Sequence, residues 1–568
     1  MIITQQNITE CWLYKYYDAI RSGEEIAGLD MTNELINLLD DIEQNEYVYD
    51  TADADLRIFF IENCLQLTKS PFYGKPFLLL LWEKAFIEVV YSFKIKSLDT
   101  DEWIDRFTEI LLLIARKNGK TELIAALQLT EMILGEQGQD IICSGMDDGT
   151  ADLAYSAVDT MRMLIDPKNI DTWRNQKGIR CKINNSHIFK LSDGTRQKEG
   201  RNIDIAGIDE IWSIKGEGIY KPIIQSTSTK EKYKIFLFGS EGFIDDGLLD
   251  KKRKEYEKII NLEDDKYSSK RKLPWFYTQD EEREVWDVDK DGINLMWKKA
   301  NPSLGSVKKW SYMRDMVEQG KASRSDRAFL LAKDFNFKIT SSLTWLDTEK
   351  IKQLALFSID DFIGSIALGG VDLAITTDLC SAKILMVNPA DKNKYIHSMY
   401  WIPEGKLEKF DDSADGAKYK EWAKDGYIRI VEGNEVDVSE VADWYAELVR
   451  DYDIRTYVTG YDQRFAKDFI KRMDEYGFET EMIYQNRFVL TNPMKLAEAE
   501  IDAGMVCFSN PIDLWCLSNT AIQVWDTGHV MPVKIKNRPG KKIDGTLSLI
   551  DVYEIYRRYK SDFMQMQS

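Results

Sequence analysis

Residues 111–123, LLLIARKNGKTEL, decide how the chain is read. An apolar run enters the loop Arg116-Lys117-Asn118-Gly119-Lys120-Thr121, and a helix-forming stretch opens where that loop ends. A strand–loop–helix unit of this kind points backbone N–H groups and the positive end of a helix at phosphates. In it Lys120 reaches the β- and γ-phosphates of ATP, and Thr121 holds the accompanying Mg²⁺. The first glycine of the general pattern is absent, with Ile114 in its place, so the GKT sequence alone does not settle the matter.

A second element does. Residues 203–210, IDIAGIDE, form a short apolar run ending in Asp209-Glu210. At the end of such a strand the aspartate orients Mg²⁺ and the glutamate polarises the attacking water. A third run, KIFLFGSEG, opens into a small polar turn where Ser240 is placed to sense the γ-phosphate. Between these runs and DIICSG lie amphipathic stretches at 121–134 and 150–164. The alternation predicts an α/β fold with a mainly parallel sheet and helices on its faces.

Outward from this block the chain changes character. Residues 1–95 carry the 3.6-residue apolar pattern at 8–20 and 56–67 and read as a helical N-terminal segment. The ATPase domain is expected over 96–270, and a charged, tryptophan-dotted helical linker over 271–350. A second α/β domain is expected over 351–568. Its runs SIALGGVDLA, SAKILMVN and KYIHSMYWI follow one another without a helix between them, so its sheet is partly antiparallel.

This second block carries acidic residues in costly places. Asp372 sits within the apolar run GGVDLA, where a buried carboxylate needs a cation. Asp462 ends TYVTGYD, and Asp544 stands at the mouth of a C-terminal helix. Three such aspartates suit a site for two Mg²⁺ or Mn²⁺ ions that activates water for phosphodiester hydrolysis. Each also has a plainer reading as a salt bridge or helix cap, and Asp378 and Asp551 compete for the same role.

Bulk properties narrow the classes. At 568 residues one core does not suffice, and 44% hydrophobic residues with only 12 prolines exclude a disordered linker protein. No signal peptide opens the chain, and no apolar run approaches the roughly 20 residues that span a bilayer, so a soluble intracellular protein is expected. Seven cysteines without a CxxC pair fit free thiols, and three histidines without ligand spacing argue against zinc. A net charge of −20 opposes nucleic-acid binding except at local basic strips. One strip is Lys251, Lys252, Arg253 and Lys254 with Lys270, Arg271 and Lys272, equally readable as a solvated face. The other, Lys534, Lys536, Arg538, Lys541 and Lys542, ends beside Asp544 and is the candidate DNA-binding strip.

With these residues in hand, the chain resembles the large terminase subunits of tailed bacteriophages that carry an ARKNGKS/T phosphate loop, a group that also lacks the first glycine. The likeness runs in order through PFLLLLWEKAFI, IARKNGKTE, IDIAGIDEIW, FGSEG, WKKANPSLG, FNFKITSSLTWL, GGVDLAITTDL, YWIPEG, GYDQRFAKDF and KKIDGTLSLI. The resemblance implies an ASCE-type P-loop ATPase that drives double-stranded DNA into a procapsid, and an RNase H-like nuclease that cuts the concatemer. Carried over by position, the Walker A residues are Lys120 and Thr121, the Walker B residue is Asp209, and Glu210 is the catalytic glutamate. Ser240 falls in the coupling motif, and Asp372, Asp462 and Asp544 match the three metal-binding aspartates. It further implies a small terminase subunit and the portal as partners, a pentamer when assembled and a monomer in isolation, and action in the cytoplasm of the infected host. Three departures stand out: Glu83 replaces the glutamine before the phosphate loop, the coupling motif reads GSEG, and Gln463 follows Asp462. Arg116 and Arg162 both remain open as the arginine finger. Two other readings are a helicase-like or repair ATPase with a nuclease domain, for which no helicase motif is found, and a degenerate nucleotide-binding scaffold.

Overall fold

The structure is a computed structural model. It describes the chain except residues 193–199, 245–246, 339–343, 347–350, 352–356, 376–378, 406–416, 526, 535–541 and 568. The chain divides into two compact units. One comprises Met1–Glu318 with Leu330–Ile339, the other Gln319–Phe329 with Thr340–Ser568. Among the described residues no helix is long and apolar enough to cross a membrane.

The first unit is built on an eight-stranded sheet. Its order is Lys272–Phe276, Glu109–Leu113, Lys234–Gly239, Ile205–Ile208, Asp140–Gly145, His187–Ser192, Gly178–Cys181 and Thr172–Asn175. The first six strands pair in parallel, and the last two continue antiparallel. Every residue of Glu109–Leu113 is buried, because a parallel sheet is covered on both faces. Alternation along that strand sends Ile110 and Leu112 into one core with the N-terminal helices, and Leu111 and Leu113 into the opposite core with Leu248, Tyr256 and Ile260. The edge strand Lys272–Phe276 lies past the boundary expected at residue 270.

The N-terminal segment is helical as expected, with Trp12–Ser22, Leu29–Ile42, Ala52–Cys64 and Leu81–Ser92. It also contributes to an antiparallel sheet of Tyr47–Tyr49, Phe93–Lys96 and Trp103–Asp105, strands too short to leave an alternation in the sequence.

In the second unit, Ile366–Asp372, Cys380–Val387 and Lys394–Pro403 form the expected antiparallel meander. Arg455–Tyr461 then pairs in parallel with Ile366–Asp372. The C-terminal helix Asp544–Met566 lies directly on these two strands. A Cβ at Gly370 would come within 2.6 Å of the Val552 backbone nitrogen, and one at Gly460 within 2.5 Å of Ile483 and 2.8 Å of Ile555. The glycines of GGVD and TGYD are there because helix and strands meet so closely.

Candidate active sites

The phosphate loop runs from the buried strand Glu109–Leu113 to the helix Lys120–Leu134. Gly119 caps that helix at φ 92°, a left-handed conformation that glycine adopts without a steric penalty. Lys117 is also left-handed and is exposed, while Asn118 is fully buried. Lys120 is buried, and its ammonium lies 2.9 Å from Glu210 Oε1 and 3.7 Å from Asp209 Oδ1. The strand Ile205–Ile208 delivers both carboxylates. The Asp209 N–H donates to the Ser144 carbonyl, and the Glu210 N–H to the Asp209 carboxylate. Burial works against the Lys120 charge, but Glu210 and Asp209 outweigh it and raise the Lys120 pKa. For Glu210 burial is likewise outweighed, by Lys120 first and by Lys333, so this carboxyl stays ionised. Residues placed together by sequence reasoning, Lys120, Asp209 and Glu210, do converge.

Ser240 is buried at the end of Lys234–Gly239, the strand whose Gly239 carbonyl accepts the Ile114 N–H at 2.9 Å. Its neighbour Glu241 pairs with Arg253 at 2.7 Å. The first basic strip is therefore largely structural: Arg253 serves Glu241, Lys252 serves Glu109 at 2.7 Å, and Lys270 serves Glu46 at 2.8 Å. Arg116 donates to the Tyr312 hydroxyl at 2.7 Å and lies 3.3 Å from Asp334. Arg162 is buried on Asp159 and Asn169.

Several neighbours of this centre carry no motif of their own. Glu83 caps the helix Leu81–Ser92. Its Oε1 lies 4.0 Å from the position of a Cβ on Gly119. Burial pushes its carboxyl up to about 8. Asn301, Ser303, Lys308 and Asp334 form a buried polar set behind Asn118. Trp212 and Lys333 adjoin Glu210. In the sequence Glu83 stood out as a departure before the phosphate loop, while IDIAGIDEIW and WKKANPSLG covered Trp212, Asn301 and Ser303 only as stretches of family likeness without a chemical reason.

In the second unit, Val371 pairs with Tyr461, so Asp372 and Asp462 stand at matching ends of adjacent parallel strands. Asp544 is buried in the first turn of its helix. The Cys380 thiol, pushed up to about 12 chiefly by burial, feels the charges of both Asp372 and Asp544. Asp551 is fully buried and accepts from Gln485 at 3.2 Å. Burial raises its pKa well above the usual range, and Asp462 and Glu554 add to the rise. Asp372 and Asp544 are thus both within electrostatic reach of Cys380, and Asp462 within reach of Asp551. Among the described residues no group of three or more His, Cys, Asp or Glu side chains forms a ready metal cluster. The donors present are carboxylate oxygens, the type that suits Mg²⁺ or Mn²⁺. Lys534 is exposed at the end of Val530–Lys534, and Lys542 is buried. Lys536, Arg538, Lys541 and Asp378 lie outside the described residues.

Comparison with known proteins gives two family matches, the second of which begins within the first unit. The family model "Terminase large subunit, ATPase domain" matches residues 82–258, and "Terminase large subunit, endonuclease domain" matches residues 272–558. The chain is 22% identical over 528 residues to the terminase large subunit of Lactococcus phage p2, covering 90% of this chain and 93% of that protein. It is 22% identical over 447 residues to the corresponding subunit of Enterobacteria phage HK97, covering 75% and 80%. The crystal structure of the HK97 large terminase aligns with 20% identity and a TM-score of 0.42, over 88% of this chain and 99% of that one.

Proposed function

The chain belongs to the terminase large subunit family of tailed bacteriophages and carries that family's ATPase and endonuclease domains; on that premise we propose how its residues divide the work. The observation that carries the proposal is the Lys120 ammonium held between Asp209 and Glu210. Lys120 and the backbone N–H groups of residues 117–121 bind the β- and γ-phosphates of ATP. A Mg²⁺ ion held by Thr121 and Asp209 supplies charge neutralisation there when bound. Glu210 exchanges its Lys120 contact for the attacking water and takes up the proton that water loses. Ser240, just past the end of the strand beside the phosphate loop, couples hydrolysis to translocation of double-stranded DNA into the procapsid.

In the endonuclease domain Asp372, Asp462 and Asp544 are the groups that hold two divalent cations, whose chemistry is water activation and stabilisation of the leaving oxygen. Asp372 and Asp462 stand level at the ends of neighbouring parallel strands. Lys534, exposed at its start, with Lys536, Arg538 and Lys541 makes the DNA strip; Lys542 is buried and drops out of it. The partners on this reading are the small terminase subunit and the portal, in a pentameric assembly within the host cytoplasm. The two-site reading is tested with full-length protein. Lys120→Ala should abolish ATP hydrolysis and leave Mg²⁺- or Mn²⁺-dependent cutting, while Asp372→Ala should do the reverse. Loss of both activities from one substitution in folded protein overturns it.

A further inference from the structure

Glu210 has a second anchor besides Lys120. Its other carboxylate oxygen accepts the indole N–H of Trp212. Glu210 itself is left-handed, at φ 51°, which turns the chain so that a side chain two residues on can fold back to it. The same indole packs on the coupling motif: a Cβ at Gly242 would lie 2.3 Å and 2.6 Å from Trp212 ring atoms. Over the ring stands Lys333, its ammonium 3.2 Å from the centroid. Lys333 belongs to the helix Arg324–Phe335 and is only 3% exposed. Its carbonyl accepts the Arg116 N–H of the phosphate loop at 3.1 Å.

These contacts place one residue at two points of the centre. The Lys333 backbone holds the phosphate loop, and its ammonium holds the indole that holds Glu210. A methionine would fill similar space but would place no cation over the indole. A cation over an indole draws electron density from the ring and strengthens its N–H as a donor. The Lys333 charge acts on Glu210 as well.

We propose that Lys333 is a positioning residue for ATP hydrolysis, fixing Trp212 and through it the catalytic carboxylate of Glu210. Movement of the phosphate loop then reaches Glu210 by two routes, directly through Lys120 and indirectly through Lys333 and Trp212. When phosphate draws Lys120 away, the indole N–H keeps the carboxylate aimed. The close seat of Gly242 on that indole passes the same displacement to the coupling motif. The inference rests on the ATPase reading and deepens it.

Steady-state ATP hydrolysis by the full chain tests this, with Lys333→Met, Lys333→Arg and Trp212→Phe. Expected are a fall in kcat of about 10- to 100-fold for Lys333→Met and for Trp212→Phe, with KM for ATP changed less than about threefold. Lys333→Arg should recover most of kcat, since a guanidinium also stacks on an indole. Wild-type kcat in Lys333→Met, or a loss confined to KM, overturns the inference. If Lys333→Met does not fold, Trp212→Phe decides alone, and unchanged kcat in that variant overturns it equally. A wild-type chain that hydrolyses no ATP would sink the ATPase reading itself, a result distinct from either.

Discussion

Ser303 donates two hydrogen bonds to Asn118 across the back of the phosphate loop. The Ser303 N–H donates to Asn118 Oδ1 at 3.1 Å, and the Ser303 hydroxyl donates to the Asn118 carbonyl at 3.0 Å. The Asn118 amide donates in turn to the Ala115 carbonyl at 2.9 Å and to Asn301 Oδ1 at 3.0 Å. The loop is thus braced on the side away from the phosphates.

That brace predicts an ordered pair of effects. Asn118→Ala strips partners from a buried N–H and a buried carbonyl, and should destabilise the chain by about 2–4 kcal/mol. Ser303→Ala leaves the backbone bond and should cost only about 1 kcal/mol. Urea unfolding measures both. Nucleotide affinity should fall with Asn118→Ala more than with Ser303→Ala. Equal stability of Asn118→Ala and wild type would remove the brace from the account.

Behind it lies an ion pair sealed from solvent. Lys308 and Asp334 are 1% and 0% exposed and 2.7 Å apart. Asp334→Asn leaves the ammonium without its counter-charge and should cost about 3–5 kcal/mol. Burial already depresses the Lys308 pKa, and removing Asp334 depresses it further. With Lys308 depressed, the unfolded chain binds more protons than the folded one, so stability rises with pH up to the unfolded lysine value. The Asp334→Asn deficit should therefore shrink between pH 7 and pH 10, followed by thermal unfolding. A deficit that is constant with pH contradicts the assignment.

The contrast between these groups explains what sequence could and could not reveal. Leu111 to Lys120 is one continuous stretch, so strand, turn and helix start appear side by side. Asp209-Glu210 was legible because an apolar run ends on it. Asn118 and Ser303, by contrast, are 185 residues apart, and neither Lys308 nor Asp334 falls in a periodic pattern. Lys252 and Arg253 looked like a surface strip because their partners Glu109 and Glu241 come from other segments. Charge runs say nothing of their counter-charges. Similarly, the strands Tyr47–Tyr49 and Trp103–Asp105 span three residues each, too few for the two-residue period to register.

Glu83 should make both stability and nucleotide binding depend on pH. Its pKa is raised from 4.5 to about 8, chiefly by burial. A carboxyl raised in this way favours the folded state fully below pH 4.5, and that contribution is lost as pH rises through 8. Near neutrality it is a neutral acid, with an O–H donor. Glu83→Gln should flatten the slope and stabilise the chain by roughly 2–5 kcal/mol at pH 9, with little change at pH 4.5. Binding of a non-hydrolysable ATP analogue at pH 6.5 and pH 9 should weaken for wild type and hold for Glu83→Gln. If the two proteins show the same pH slope, Glu83 is not the titrating group.

The two aspartates of the C-terminal helix should separate in a cutting assay. Asp544 and Asp372 both act on the Cys380 thiol. Asp551 is fully buried and bonded to Gln485, and burial with the nearby Asp462 charge keeps it protonated well above the usual carboxylate range. A carboxyl that costs so much to ionise is a poor ligand, and its neutral amide should replace it readily. Asp544→Asn should lose at least about 100-fold in metal-dependent cutting, matching Asp462→Ala and Asp372→Ala, while Asp551→Asn stays within about tenfold of wild type. Asp551→Asn should also raise stability at pH 8, because it removes a buried acid whose ionisation opposes folding there. Plasmid cleavage across Mg²⁺ and Mn²⁺ concentrations reads the first effect and thermal unfolding the second. Cutting retained by Asp544→Asn and lost by Asp551→Asn would exchange the two roles and move the metal-holding carboxylate two turns along the helix.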